Sequence, residues 1–417
     1  MNLKVQTDRT LVREAGKSTR HVLLTFTAPE AVRTTTRPPL NVSFVIDRSG
    51  SMGGSKITLA REAVIQALRM LRDTDRFSVI AYDTDIDVIV PSTRATAEAV
   101  RNGADRVKEL QARGSTDLSG GWLKGCEQIA EHLDPEMTAR CLLMSDGLAN
   151  AGIQDRDELA RHSKALAERG IRTSCLGIGA DYDERLLAGI ATSSGGHAYH
   201  VELPVQIPDI LTSEIGEALE IVARDVVVAV RPSPGMSVTT LNKFELDARS
   251  DGDLWLRLGD LSARQQVALV FAIKFPSGTA RSAIGASFKV SDGRAVLNAP
   301  ETDILWTFAD HAPNDAQPRN GEVDDAVAIL EAAAARAEAL ELNRLGQFEG
   351  SSARLKRTWA RLSSSRRPGA VALAQSLQDE APDYAAPMSD GVMKRKFSDS
   401  LSASRMRDES GKARRKP

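Results

Sequence analysis

The stretch NVSFVIDRSGSMGGSKI, residues 41–57, begins as an apolar run and then changes into an acid, serines and glycines. A continuous apolar run is typical of a strand that is buried on both faces, as in a parallel sheet covered by helices. Asp47 stands where this strand ends, and Ser49 and Ser51 follow at every second position. The stretch therefore predicts an α/β fold and places three oxygen-bearing side chains at the carboxyl end of its first strand.

From residue 41 to residue 201, short apolar runs alternate with amphipathic helical patterns. This alternation indicates βαβ units. We predict a Rossmann-like, doubly wound, mostly parallel sheet with helices on both faces, closed by an amphipathic helix that starts at Pro208. A short strand, DVIVP, is predicted at the edge of the sheet, and we expect it to stop at Pro91 because proline lacks the backbone donor.

The segments on either side of this region contain strand-like runs separated by turn residues, without helical periodicity. They predict an antiparallel β-sandwich domain that the N-terminal segment shares; the alternative is a separate N-terminal extension. Beyond residue 320, a helical pattern that breaks near Gly346 predicts a C-terminal helical hairpin. The predicted segments are an N-terminal β segment at 1–37, an α/β domain at 38–210, a β-sandwich at 211–310, a helical hairpin at 320–380 and a disordered basic tail at 381–417.

The overall charge is nearly balanced, with 54 basic and 56 acidic residues among 417. No global field draws the chain towards nucleic acid or an anionic membrane, so neither is expected as a partner. No run approaches the roughly 18 apolar residues of a membrane span. The N-terminus lacks the apolar core of a signal peptide, and the three cysteines lack a paired spacing, which favours buried thiols and a cytoplasmic location.

Five oxygen-bearing side chains are predicted to meet at the carboxyl ends of the parallel strands, where the loops of such sheets form ligand sites. They are Asp47, Ser49, Ser51, Thr116 and Asp146. Hard oxygen donors without histidine or cysteine suit Mg²⁺ better than zinc, with Mn²⁺ or Ca²⁺ as alternatives. Two carboxylates supply little negative charge for a divalent ion. A carboxylate from another molecule is therefore expected to complete the shell.

The pattern D-x-S-x-S at Asp47, Ser49 and Ser51, with Thr116 in GSTDLSGG and Asp146 in MSDG, resembles the metal-ion-dependent adhesion site of von Willebrand factor A domains of the bacterial type. The resemblance covers residues 38–210. It implies that the two serines bind the ion directly, that the threonine does so in the high-affinity state, and that the two aspartates act through coordinated water. It also implies a partner protein whose Glu or Asp is the last ligand.

The same residues allow other interpretations. Asp47 as a helix cap and the serines as turn formers would explain single positions but not five oxygens on three loops. A phosphate-binding loop is excluded because Ser55 and Ile57 occupy positions of the motif that require Gly and Ser or Thr. We predict a metal-dependent protein-binding module and not an enzyme. The alternatives are a metal-assisted phosphoester hydrolase and a scaffold in which the metal only stabilises the loops.

Overall fold

The computed structural model describes most of the chain: residues 3–31, 37–297, 299–365, 367–408 and 410–415. The chain divides into two compact units. The α/β unit contains the described residues of 32–220 and 390–398, and the β-rich unit contains those of 1–31, 221–389 and 399–417. Each unit has a hydrophobic core of its own.

The chain begins with strands that belong to the β-rich unit: β1 (Lys4–Thr7), β2 (Leu11–Arg13) and β3 (Thr19–Thr27). The strands of the α/β unit follow: β4 (Leu40–Asp47), β5 (Arg76–Tyr82), β6 (Ile86–Arg94), β7 (Thr138–Ser145), β8 (Ile171–Ile178) and β9 (Ala198–Val201). They form one sheet in the order β6-β5-β4-β7-β8-β9. The pairing of β5 with β6 is antiparallel and the other pairings are parallel, so the mostly parallel α/β sheet is confirmed.

The helices of the α/β unit lie on both faces of this sheet. They are α1 (Ser55–Arg69), α2 (Ala97–Lys108), α3 (Leu118–Ala130), α4 (Arg156–Glu168), α5 (Glu184–Ser194) and α6 (Ile207–Leu219). Successive residues of β4 point to opposite faces, as a strand requires. Val42 and Phe44 pack in the core with α1, α2 and α6, whereas Val45 packs in the core with α3 and α5. Every residue of β4 is buried for this reason.

Two sequence expectations about this unit have different outcomes. Strand β6 does not stop at Pro91 but continues to Arg94, so that prediction is wrong. The strand lies at the edge of the sheet, where a residue without a backbone donor leaves no partner unpaired. The prediction of buried thiols is confirmed, since Cys126, Cys141 and Cys175 are free and buried.

The β-rich unit is antiparallel except where β2 joins it. Its remaining strands are β10 (Ile221–Pro232), β11 (Ser237–Thr240), β12 (Leu246–Ala248), β13 (Leu254–Ser262), β14 (Gln266–Lys274), β15 (Ala283–Ser291) and β16 (Thr302–Ala309). One sheet has the order β1-β3-β14-β11 and the other β12-β13-β10-β15-β16-β2. Side chains of both sheets, such as Phe271 and Phe288, share one core. The N-terminal strands therefore lie within both sheets.

Helices complete the chain: α7 (His311–Ala316), α8 (Gly321–Arg344), α9 (Phe348–Ser363), α10 (Pro368–Glu380) and α11 (Asp390–Ser404). The turn at Gly346, with φ of 72°, separates α8 from α9. A third helix, α10, then packs against α9, so region 320–380 is more than the predicted hairpin. No helix within the described ranges is long and apolar enough to cross a membrane.

The prediction of a disordered tail over 381–417 is wrong for the described part of that segment, which contains α11. Lys394 belongs to the α/β unit, and its buried ammonium group donates to the carbonyl of Tyr182 and forms a salt bridge with Glu184. The ammonium nitrogen also lies 4.8 Å from the centroid of the Tyr182 ring. A serine-rich, basic composition gives no sign of such tertiary contacts, which supply the order that the local sequence lacks.

Close approach of α3 to the sheet requires glycine at position 125. A Cβ there would collide with Val45 and lie 3.0 Å from the hydroxyl of Ser43. We expect Gly125→Ala to lower the free energy of unfolding by about 1–3 kcal/mol, because the core has no room for the methyl group. Gly189→Ala on α5 is the matched control, since none of the described residues beyond the backbone of its own helix lies within 4 Å of the added Cβ. Thermal denaturation that found the two variants equally stable would contradict this packing.

Candidate functional site

The site is built at the carboxyl edge of the sheet, where β4 and β7 lie side by side. Their register pairs Ile46 with Met144, so Asp47 ends β4 beside Ser145, and Asp146 follows directly. Both aspartates are fully buried. One oxygen of Asp47 accepts the backbone N–H of Ser49 at 2.8 Å, and the other accepts the hydroxyl of Ser145 at 2.8 Å. Adjacent parallel strands therefore bring the two acids together.

A chain of hydroxyl groups joins the two strand ends. The hydroxyl of Ser51 donates to Asp146 Oδ1 at 2.8 Å, and the hydroxyls of Ser49 and Ser51 are 3.1 Å apart. Because a serine hydroxyl has one proton and Ser51 gives it to Asp146, Ser49 is the donor in the second contact. Ser49 is buried and Ser51 is exposed, so this chain leads from the interior to solvent.

Thr116 brings a third loop to the same place. A Cβ on Gly147 would lie 3.4 Å from the hydroxyl oxygen of Thr116 and 3.7 Å from that of Ser51, so both hydroxyls face the space beside this glycine. The carbonyl of Thr116 accepts the backbone N–H of Asn150 at 3.0 Å. The structure thus gathers all five predicted residues: four through hydrogen bonds, and Thr116 across the space left by Gly147.

The interpretation of Asp47 as a helix cap does not hold. Helix α1 is preceded by Gly54, which makes no side-chain capping bond, while the carboxylate of Asp47 stays at the end of β4. The acid that caps the helix of the third loop is Asp117, which accepts the backbone N–H of Gly120 at the start of α3. Asp117 therefore caps a helix, whereas Asp47 belongs to the cluster of oxygen-bearing side chains.

Lys56 is a site residue that the sequence reasoning missed. Its ammonium group forms a salt bridge with Asp146 Oδ2, the oxygen that Ser51 does not use. Lys56 is the second residue of α1, and a cation in the first turn opposes the helix dipole. That unfavourable position is the signal in the sequence that the lysine has a specific anionic partner.

The rim of the site is a network of charged side chains. Arg48 and Arg113 each donate from Nε to Asp83 Oδ2 at 2.8 Å. Burial alone would raise the pKa of Asp83, but hydrogen bonds from the backbone of Asp85 and from the two guanidinium groups outweigh it and hold this pKa below its ordinary value. The backbone N–H of Arg113 also donates to the carbonyl of Arg48. The first and third loops are therefore fastened together.

A second group of potential metal ligands lies among His197, Glu214 and Glu217, whose ligand atoms are within 4.8 Å of one another. This group shares no residue with the five oxygen-bearing side chains described above. Glu214 of α6 accepts hydrogen bonds from the hydroxyls of Ser174 on β8 and Tyr199 on β9. The group therefore anchors α6 to the sheet. His200 bonds instead to the hydroxyl of Tyr182, so His197 and His200 have different surroundings.

These features agree with a comparison against protein families. Residues 41–213 match the von Willebrand factor type A domain. Residues 41–213 thus form a domain of this family, and the predicted mostly parallel α/β fold of this region is confirmed. Domains of this family commonly mediate protein–protein interactions and typically bind a divalent metal ion.

The chain is similar to proteins of several kinds. It is 27% identical over 248 residues to the uncharacterized protein YfbK of Escherichia coli (strain K12), which is 57% of this chain and 42% of that protein. It is 33% identical over 173 residues to inter-alpha-trypsin inhibitor heavy chain H3 of Rattus norvegicus, which is 39% of this chain and 19% of that protein. The chain therefore spans less than half the length of either curated relative.

A solved structure extends the likeness in fold to nearly the whole chain. The von Willebrand factor type A protein from Catenulispora acidiphila superposes with a TM-score of 0.74 and covers 96% of both chains, at 19% sequence identity. At that identity the likeness concerns the fold. The β-rich flanks and helices therefore accompany the central domain in that protein as well.

Burial raises the pKa of the Asp47 carboxyl above its ordinary value of 3.8; hydrogen bonds from Ser49 and Ser145 oppose this shift, and the charge of Asp146 adds to it. The folded protein therefore keeps this proton at pH values where the unfolded chain has lost it, and stability falls as pH rises from 3.8 to the raised pKa. Asp47→Asn removes this titration. Without added metal, we expect its unfolding temperature relative to wild type to rise from pH ~4 to pH ~7.

Thermal denaturation across that pH range measures the difference. Asp181→Asn is the control for loss of one aspartate charge, since Asp181 is exposed. A difference between Asp47→Asn and wild type that stays constant with pH would contradict the assigned direction.

Proposed function

We propose that the α/β unit binds Mg²⁺ through Asp47, Ser49, Ser51, Thr116 and Asp146, and that the ion captures a Glu or Asp side chain of a partner protein. The observation that carries this proposal is the convergence of five oxygen-bearing side chains from three loops on one edge of the sheet. Oxygen donors of this kind suit a hard divalent cation, with Mn²⁺ or Ca²⁺ as alternatives.

The residues present fit such an ion on two further counts. Gly147 leaves a space lined by the hydroxyls of Thr116 and Ser51 that any side chain would fill. Asp146 already has one cationic partner, the ammonium of Lys56, which supports a site that receives positive charge. The bound ion would supply a Lewis-acidic position for a carboxylate. Ser51, the exposed residue of the five, marks the side from which a partner would approach.

Binding is favoured over a role in which the metal only pins the loops. The first and third loops are already joined by the backbone hydrogen bond from Gly50 to the carbonyl of Gly114, at 3.1 Å. The loop after β7 is joined to the third through Asn150 and Thr116. An ion is not needed to hold these loops. A non-catalytic role and a cytoplasmic location remain our predictions.

The test compares the double variant Ser49→Ala/Ser51→Ala with Ser115→Ala, whose exposed hydroxyl is next to Thr116. By isothermal titration calorimetry, we expect the wild type and Ser115→Ala to bind one Mg²⁺ alike. The double variant should lose about 10- to 100-fold in affinity or more, because changes even in the outer shell of metal sites cost that much. Equal Mg²⁺ affinity in all three proteins would overturn the proposed site.

The partner is tested with the same proteins. Wild-type protein and both variants are immobilised, exposed to a cell extract in Mg²⁺, eluted with EDTA and compared by mass spectrometry. We expect an EDTA-eluted partner on wild type and Ser115→Ala that is missing from the double variant. A partner that stays bound through EDTA on all three columns would show that recognition does not pass through the metal.

A further inference from the structure

We propose that Lys56 sets the charge of the metal site so that the ion and the partner carboxylate bind interdependently. The proposal rests on the proposed function above and concerns how that site selects an acidic ligand. The positive charge of the lysine lowers the affinity for the metal when no anion is present. It raises the affinity of the metal-loaded site for one more anion. Its basis is the position of the ammonium, the count of buried charges and the place of the lysine in its helix.

The position of Lys56 is defined by contacts on two sides. Its Nζ lies 2.5 Å from Asp146 Oδ2. The end of the side chain also lies over Gly179, where an added Cβ would be 3.6 Å from Nζ and 3.7 Å from Cε. The side chain is 23% exposed and Asp146 is fully buried. This is therefore a partly buried, well-defined ion pair. An exposed ion pair at the surface would contribute little to stability.

The stability of α1 does not explain this lysine. Backbone N–H groups in the first turn of a helix make that end positive, so a carboxylate is favoured there and an ammonium is disfavoured. Lys56 nevertheless occupies the second position of α1, directly after Gly54 and Ser55. The cost of that placement is offset by the pairing with Asp146. The position of Lys56 is therefore explained by its contact with the site and not by the stability of α1.

The charges of the site follow from these contacts. When both acids are ionised, the carboxylates of Asp47 and Asp146 with the ammonium of Lys56 leave one negative charge, and a divalent cation turns it into one positive charge. Asp47, Ser49, Thr116 and Asp146 are all nearly inaccessible to solvent, so water screens these charges poorly. One external carboxylate makes the loaded site neutral. If Lys56 were uncharged, the metal alone would achieve neutrality.

Binding of the two ligands is then reciprocal. An anion that raises the affinity for metal must have its own affinity raised by the metal to the same extent. Lys56 strengthens this coupling because it repels a metal that arrives alone and attracts the carboxylate that follows. The partner that fits is a protein with an accessible Glu or Asp. A neutral hydrogen-bonding side chain would leave the positive charge uncompensated.

The decisive variant is Lys56→Met, which removes the charge and keeps an unbranched side chain. In chloride buffer we expect it to bind Mg²⁺ about tenfold more tightly than wild type, a factor typical of coupled sites. Acetate serves as the probe for a partner carboxylate. We expect acetate to raise the Mg²⁺ affinity of Lys56→Met less than that of wild type. Calorimetric titrations in chloride and acetate buffers of equal ionic strength measure both effects.

Two controls separate charge from packing. Lys56→Arg keeps the positive charge and should resemble wild type in both buffers. Lys124→Met removes a lysine that pairs with Glu127 on the exposed side of α3, and it should leave both affinities unchanged. Circular dichroism establishes that each protein is folded. Lys56→Gln provides a second uncharged side chain should the methionine variant fold poorly.

The outcomes distinguish this inference from the proposed function. If neither wild type nor Lys56→Met binds Mg²⁺, the metal site itself is refuted, and the role of Lys56 with it. If wild type binds Mg²⁺ and Lys56→Met binds it equally or more weakly, the role of Lys56 alone is overturned. An unchanged response to acetate in Lys56→Met, or an arginine variant that behaves like the methionine one, overturns it as well.

Discussion

Two buried carboxylates at the ends of neighbouring parallel strands are the constraint on which this structure depends. Asp47 and Asp146 are both inaccessible to solvent, and burial of an ionised group is costly unless hydrogen bonds or opposite charges compensate it. The serine hydroxyls, the N–H of Ser49 and the ammonium of Lys56 provide that compensation. The loops that carry these donors must therefore converge. The same convergence creates a cluster of oxygen ligands.

Much of this arrangement follows from local sequence. The mostly apolar run before Asp47 predicts a strand covered on both faces, and its partner before Asp146 has the same character. Since parallel strands place their carboxyl ends at one edge, the two acids and the two serines could be placed together from the sequence alone. Thr116 was predicted from its place in a loop between two helical patterns, and the resemblance to a known family added the expectation that it binds the ion directly.

The remaining features depend on tertiary contacts that no local pattern records. Lys394 orders a basic, serine-rich segment by burying its ammonium group against Tyr182 and Glu184. Pro91 is tolerated within β6 because this strand lies at the edge of the sheet. The backbone donor that proline lacks has no neighbouring strand to bond there. The role of Lys56 was not predicted from the sequence because its partner, Asp146, is 90 residues away in the chain. Its unfavourable place in the first turn of α1 was the one local clue.

The central claim is that these oxygens surround a divalent ion that has room for an outside carboxylate. Anomalous X-ray diffraction from crystals soaked in Mn²⁺, which takes the same oxygen ligands, tests it most directly. We expect one strong anomalous peak in direct contact with the hydroxyls of Ser49 and Ser51, with Thr116, Asp47 and Asp146 arranged around it. No peak at this edge, or a peak held only by other residues, would contradict it.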